Sequence, residues 1–246
     1  MQMTFSARIK NKASELGFDK VGISRVDNDS ERPAEHQLRA WLNRGFHGAM
    51  SWMERTAEKR GNITKVFPGV QSVVSVAVNY YTNYTPNETK GKGRIARYAW
   101  GEDYHYFMND RLREFATWID AEAEKEGLHC ESRTYVDTGP ILEKAWAQRA
   151  GIGWIGKHSN LVSADYGSWL ILGEVLLSVE LKSDTPAPDQ CGACRLCIEI
   201  CPTDAIPEPY VLDATKCIAY LTIEHRGPIP EPYHSDIGNR IFGCDD

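Results

Sequence analysis

Four cysteines stand in one short run, Cys191-Gly-Ala-Cys194-Arg-Leu-Cys197-Ile-Glu-Ile-Cys201-Pro202. The spacing C-x2-C-x2-C-x3-C-P is that of a bacterial ferredoxin loop. There, three thiolates wrap one corner of a [4Fe–4S] cube and the fourth serves a second cube. A structural zinc site would instead want C-x2-C pairs separated by a longer loop. Disulfides are disfavoured as well. The N-terminal residues show neither the apolar core of a signal peptide nor a twin-arginine pair, so a reducing cytoplasm is the expected setting.

The chain has seven cysteines, the remaining three being Cys130, Cys217 and Cys244. Cys191, Cys194 and Cys197 are expected to hold one cube, and Cys201, Cys217 and Cys244 the other. Each cube is then one ligand short. A second cysteine run starting at Cys244 would supply both missing sulfurs just beyond Asp246, so the sequence is expected to stop inside a second cluster motif. Cys130 is the alternative ligand. It sits in residues 128–132, which read as a strand, where a single thiol is more often a small buried hydrophobe.

These ligands must be positioned by a chain of 246 residues with net charge −6, 42% hydrophobic and 25% charged. Such a composition suits a globular protein of one or two domains. The acidic balance excludes a broadly basic nucleic-acid binder but leaves room for a local basic patch. No stretch approaches the roughly 20 apolar residues of a membrane span, and a monomer is the expected state.

Helical spacing runs from Phe5 to Leu16 and stops at Gly17, followed by a short strand over Asp19–Ser24. Pro33 is expected to open a second helix ending near Gly45, and Met50, Trp52 and Met53 suggest another turn of helix. Ser72–Asn79 is apolar almost throughout, as a strand buried on both faces should be. A polar loop over 82–93 precedes a helix from Tyr104 to Glu126. A strand over 128–136, a helix over 140–150 and a strong strand over 168–180 complete a mixed layer. The fold class expected is α+β, with a layered domain over 1–181. Residues 182–190 are polar with two prolines and read as a linker to a ferredoxin-like domain over 182–246.

Within the layered domain, Gly151-Ile-Gly153-Trp-Ile-Gly156 matches GxGxxG, but it follows a helix rather than a strand and offers no helix N-terminus to a phosphate. A loop that lets backbone approach some other large planar or phosphate-bearing ligand, or a structural turn, fits better. Asp137 ends a strand and precedes Thr-Gly-Pro. It could cap the next helix, or, with its pKa raised by burial, give a proton to a leaving oxygen. Asp103-Tyr-His105 begins the D-x-H-x-x-G motif of some cobalamin proteins, but Met108 replaces the glycine, so His105 reads as a polar residue in a first helical turn. Lys90, Lys92, Arg94 and Arg97 form a cationic stretch, a solvated loop unless a phosphate-rich partner uses it.

Taken together, these segments resemble the epoxyqueuosine reductases. The resemblance is carried by Arg94–His105, Val136–Lys144, Gly151–Asn160, Gly167–Glu174, the cysteine run and Cys217–Pro230, which span most of the chain. It implies a cobalamin- and [4Fe–4S]-dependent reduction of an epoxide to an alkene on tRNA, with clusters passing electrons from an external donor to cobalamin. It also implies Asp137 as proton donor. The cobalamin contacts it implies are Arg55, Tyr98, Ala99, Asp137, Lys157, His158, Ser159, Asn160, Ser168, Tyr220, Leu221 and Thr222, with base-off binding. The competing expectations are a corrinoid reductase of a small molecule and an electron-transfer ferredoxin fused to an inert domain.

Overall fold

The computed structural model describes residues 3–84 and 91–245. Lys90, and residues 85–89 of the polar loop, lie outside them. The first helix, α1 (Phe5–Glu15), ends at Gly17, which turns the chain at φ 81° into β1 (Lys20–Arg25). Next come α2 (Asn28–Asn43), α3 (Ser51–Arg55), α4 (Ala57–Gly61) and β2 (Ser72–Asn79). Pro33 lies inside α2 instead of opening it, since the helix starts five residues earlier, at Asn28.

The middle of the chain supplies β3 (Arg94–Ile95), α5 (Tyr104–Lys125), β4 (Ser132–Tyr135), α6 (Glu143–Arg149), β5 (Trp154–Ile155), β6 (Leu161–Val162) and β7 (Leu170–Leu177). Cys130 falls in the irregular stretch ahead of β4, not in a strand, because the pairing of β4 with β7 spans only Ser132 to Tyr135. The last elements are α7 (Leu196–Ile200), α8 (Ile218–Ile223), α9 (His234–Ile237) and β8 (Arg240–Phe242).

The main sheet has the order β1-β2-β7-β4, and each neighbouring pair is antiparallel. That places the chain among α+β folds. The alternation of β2 explains its near-continuous apolar sequence. Val74 and Val76 face α1 and α5, where Met108, Leu112, Phe115 and Ile119 are all fully buried. Val73 and Ala77 face the opposite side, against Trp146, Ala147 and Ala150 of and beyond α6. Each large apolar side chain so buried contributes roughly 1.5–3 kcal/mol. Gly22 lets β1 and α6 approach closely: a Cβ there would lie 2.0 Å from the carbonyl oxygen of Ala150.

The cysteine-rich segment is interlocked with the layered part. The stretch 182–190 touches β1 at Asp184, which accepts from the Ile23 N–H at 2.8 Å and donates its own N–H to Ile23 O at 2.8 Å, and Ala187 donates to Gln148 O of α6. Further on, Ala214, Ile218, Tyr220, Leu221 and Ile237 form a small core completed by Trp41 and Met50 from the N-terminal third. The Trp41 indole donates to Leu212 O at 2.6 Å, and β8 pairs in parallel with β3. Among the described residues, no helix is long and apolar enough to cross a membrane.

Candidate active site

Asp137 sits where β4 ends and the chain turns toward α6. Its φ is +55°, and the Thr138 N–H reaches back to Val136 O at 2.5 Å, so Asp137 is the centre of a tight turn that non-glycine residues rarely adopt. Its backbone N–H donates to Glu143 Oε1 at 2.7 Å. The carboxyl projects outward and is 64% exposed, so the burial asked of a proton donor does not come from the chain's own atoms.

The N-terminus of α5 meets this turn. Asp103 caps the helix by accepting from the His105 N–H at 2.9 Å, and also contacts His105 Nδ1 at 2.7 Å. The other ring nitrogen, Nε2, points at Asp137 Oδ2 across 3.6 Å. The Tyr104 ring stacks on the imidazole at 4.2 Å, and its hydroxyl lies within the influence of the Asp137 carboxyl. Burial, reinforced by the Asp137 charge, pushes the Tyr104 hydroxyl well up, so it is a donor at all ordinary pH. His105 therefore belongs to the site, although sequence spacing gives it only a helix-end role. A side chain's reach across to a distant turn leaves no local signal.

Beside these groups lies an aromatic cleft of about 270 Å³, lined by Tyr80, Arg97, Tyr98, Trp100, Tyr104 and Phe107 among others. Tyr98 meets Tyr104 edge-on at 6.3 Å and Tyr80 at 6.5 Å. Burial and the nearby Asp137 charge raise the Tyr98 hydroxyl too. Ala99 follows in the same short turn of 3-10 helix.

Around the Asp137 turn stand charges that sequence reasoning missed. Lys144 is an exposed residue with protein crowded around it. That crowding lowers its pKa, while Glu143, Asp137 and Cys217 oppose the fall. Its ammonium donates to Ser159 O at 3.0 Å, so one cation borders both the Asp137 turn and a cysteine of the cluster segment. Arg60 sends its guanidinium to Ile141 O at 2.9 Å and feels both Glu143 and Asp137. Arg55, the basic residue expected here, is exposed and donates to Ser51 Oγ at 3.2 Å.

The 157–160 loop separates into different roles. Lys157 is 8% exposed and donates to the carbonyls of Gly192 and Cys194 at 2.6 and 2.7 Å, so its ammonium serves the cysteine loop instead of the cleft. His158 Nε2 contacts Ser168 Oγ at 3.2 Å, and its Nδ1 accepts from the Asn160 N–H at 3.0 Å, which keeps the ring neutral as its burial also demands. Ser159 adopts φ +66°, and its buried Oγ has no partner among the described residues. Tyr220 and Leu221 turn inward: the Tyr220 hydroxyl accepts from the Ala49 N–H at 2.7 Å and Leu221 lies in the small core. The Thr222 hydroxyl donates to Ile218 O at 2.7 Å and accepts from the Gly243 N–H at 3.0 Å. Close packing around α8 therefore takes up the side chains of all three.

The thiols fall into two groups. Cys197 is raised by burial and then by the charges of Cys191 and Cys194, which puts these three together. Cys217 is raised by burial and by Cys201, with Lys144 opposing, and it packs with Cys244 on the same small core. The Trp154 indole donates to Cys191 Sγ at 3.4 Å and the Ala205 N–H to Cys201 Sγ at 3.3 Å, which are donors suited to cluster sulfur. Among the described residues no three His, Cys, Asp or Glu side chains converge tightly enough for a single metal ion.

Residues 190–246 match the family model described as 4Fe-4S double cluster binding domain, and residues 60–138 match Epoxyqueuosine reductase QueG, DUF1730. An iron–sulfur domain locked against an α+β layer bearing an acid in a strained turn defines an iron–sulfur oxidoreductase. The chain is 42% identical over 244 residues to the epoxyqueuosine reductase of Atelocyanobacterium thalassa, covering 99% of this chain and 77% of that one. The chain belongs to the epoxyqueuosine reductase family. The solved epoxyqueuosine reductase from Streptococcus thermophilus superposes with TM-score 0.84 at 30% identity, over 99% of this chain and 64% of that one. Another, solved with an epoxyqueuosine-modified tRNA-Tyr stem loop, gives TM-score 0.81 at 29% identity over 98% and 62%.

Proposed function

We propose that this protein reduces epoxyqueuosine to queuosine in tRNA, as a cytoplasmic monomer fed by an external electron donor, with Asp137 giving the proton. The observation that carries the reading is the convergence of Asp137, Tyr104 and His105 beside the aromatic cleft that Tyr104 lines, with Lys144 within electrostatic reach of both Asp137 and Cys217. In this reading Cys191, Cys194 and Cys197 hold one cluster and Cys201, Cys217 and Cys244 the other, all within residues 182–246. Residues 1–181 form the domain that holds cobalamin.

The aromatic cleft suits one edge of a large planar group, the rest of which would lie outside it. The cleft has flat aromatic walls in Tyr80, Tyr98 and Tyr104, and apart from it Ser159 Oγ has no partner among the described residues. Tyr98, Ala99, His158 to Asn160 and Ser168 would make the contacts. Cobalamin, when bound, supplies the low-valent cobalt chemistry for reducing the epoxide. The overall change takes up two electrons and two protons, breaks both C–O bonds, forms a C=C bond and releases water.

The chain's own groups handle the oxygen. Hydroxide leaves poorly, so the Asp137 carboxyl must protonate it as the C–O bond breaks. Tyr104 and His105 hold that carboxyl from one side, and the modified base covering it would exclude water. With anaerobically prepared, cobalamin-loaded enzyme and an epoxyqueuosine-bearing tRNA stem loop, Asp137→Asn should lose at least about 100-fold in turnover while its corrin absorption stays unchanged. Turnover near the unmodified rate would refute the assignment.

A further inference from the structure

Glu143 lies in the first turn of α6, six residues beyond Asp137, and its carboxyl points back along the chain rather than out to solvent. The β4–β7 ladder stops at Tyr135, so the Asp137 N–H has no strand partner, and Glu143 Oε1 receives it at 2.7 Å. That bond holds a residue whose φ of +55° and i→i+2 closure are both unfavourable for an aspartate. The turn has little freedom on its other side: a Cβ on Gly139 would lie 2.3 Å from the Tyr135 ring.

We propose that Glu143 is a positioning residue for the reduction, its carboxyl clamping the Asp137 N–H so that the strained turn persists and the Asp137 side chain faces the cleft. The inference rests on the reading of Asp137 as proton donor. The groups around the clamp are consistent with it. Arg60, Lys144 and Asp137 face Glu143, and Tyr104 from α5 and Glu174 from β7 lie within its electrostatic reach. Burial raises Glu143 to about 7, against the pull of the Asp137 N–H bond and of Lys144 and Arg60. A turn N–H left without its acceptor loses the bond whether that acceptor was charged or neutral, so loss of the clamp should free the turn by a factor of about ten or more.

The test compares Glu143→Gln, Glu143→Asp and Glu143→Ala in the cluster- and cobalamin-loaded protein. Gln keeps an oxygen at the same reach, whereas Asp keeps the charge but falls short. The expected result is that hydrogen–deuterium exchange at the Asp137 amide accelerates about tenfold or more in the Asp and Ala variants and stays within about threefold in the Gln variant. In those same two variants kcat for the tRNA stem loop should fall about tenfold or more with KM unchanged, and Gln should restore it.

Unchanged amide exchange in the Asp and Ala variants overturns the proposal whatever Asp137 does. Faster exchange with unchanged kcat overturns it too. Loss of iron, corrin and kcat together in all three variants would mark Glu143 as structural only and also overturns it. If the Ala variant does not fold, the Gln–Asp comparison decides. Asp137→Asn run in parallel reports separately on the proton-donor reading: an active Asp137→Asn enzyme sinks that reading, while the exchange data still judge the clamp.

Discussion

Lys157→Met should loosen the first cluster loop without disturbing the rest of the protein. The ammonium is 8% exposed and donates to Gly192 O at 2.6 Å and Cys194 O at 2.7 Å, so one side chain pins the backbone that carries Cys191 and Cys194. A hydrogen bond to a charged group contributes about 1.5–3 kcal/mol when neither partner can turn to water. Here Gly192 and Cys194 are exposed, so water can take over their carbonyls once the ammonium is gone. The loss should therefore total about 2 kcal/mol, which is about a 30-fold shift toward the open loop. Methionine keeps the aliphatic bulk, so packing against the loop survives. The assay is anaerobic: clusters are reconstituted, an iron chelator is added, and the fading of the cluster absorption near 400 nm is followed. The variant should lose iron from one cluster about ten- to thirtyfold faster, and Lys157→Arg should recover part of the difference. Equal bleaching rates for Lys157→Met and the unmodified protein would refute the pinning role. So would equal acceleration of both clusters, because among the described residues the hydrogen bonds of this ammonium go to the 191–194 loop.

Further outcomes follow from the same geometry. Cys130 lies ahead of β4, its thiol pushed to about 12 by burial and by Asp120, so Cys130→Ala should leave the iron content per chain unchanged; a fall in iron would make it a ligand. Burial raises Glu143 from 4.5 to about 7, so the stabilising protonated form is complete below the lower value and is lost as pH rises through about 7. Allowing for its partial exposure, that loss is about 2 kcal/mol, and Glu143→Gln should remove it; urea unfolding curves that stay parallel between the two proteins from pH 5 to 8 would contradict this. Gly22→Ala drives a Cβ to 2.0 Å from the Ala150 carbonyl and should cost about 3 kcal/mol, read as a lowered melting temperature; an unchanged melting temperature would show that β1 and α6 can separate freely.

Sequence alone carries what is encoded by local spacing. A cube is wrapped by one short loop, so C-x2-C-x2-C-x3-C announces its chemistry before any folding. The helix over Tyr104–Lys125, the strand over Ser72–Asn79 and the glycine stops at Gly17 and Gly127 are local too, set by apolar period and by positive φ. Asp137 is visible as an acid at a strand end. What stays hidden is which groups surround it. His105 reaches it from the far end of α5, Arg60 from α4, and Lys144 and Glu143 from a helix whose orientation depends on Trp146 and Ala147 seating on the sheet. The same holds for expectations that the packing redirects. The side chains of Tyr220 and Leu221 enter a core that Trp41 and Met50 complete from the N-terminal third, and the Lys157 ammonium goes to the cysteine loop. Those choices are made by contacts between segments far apart in the chain. Only the folded layers bring such segments within a few ångströms, and no spacing rule reaches that far.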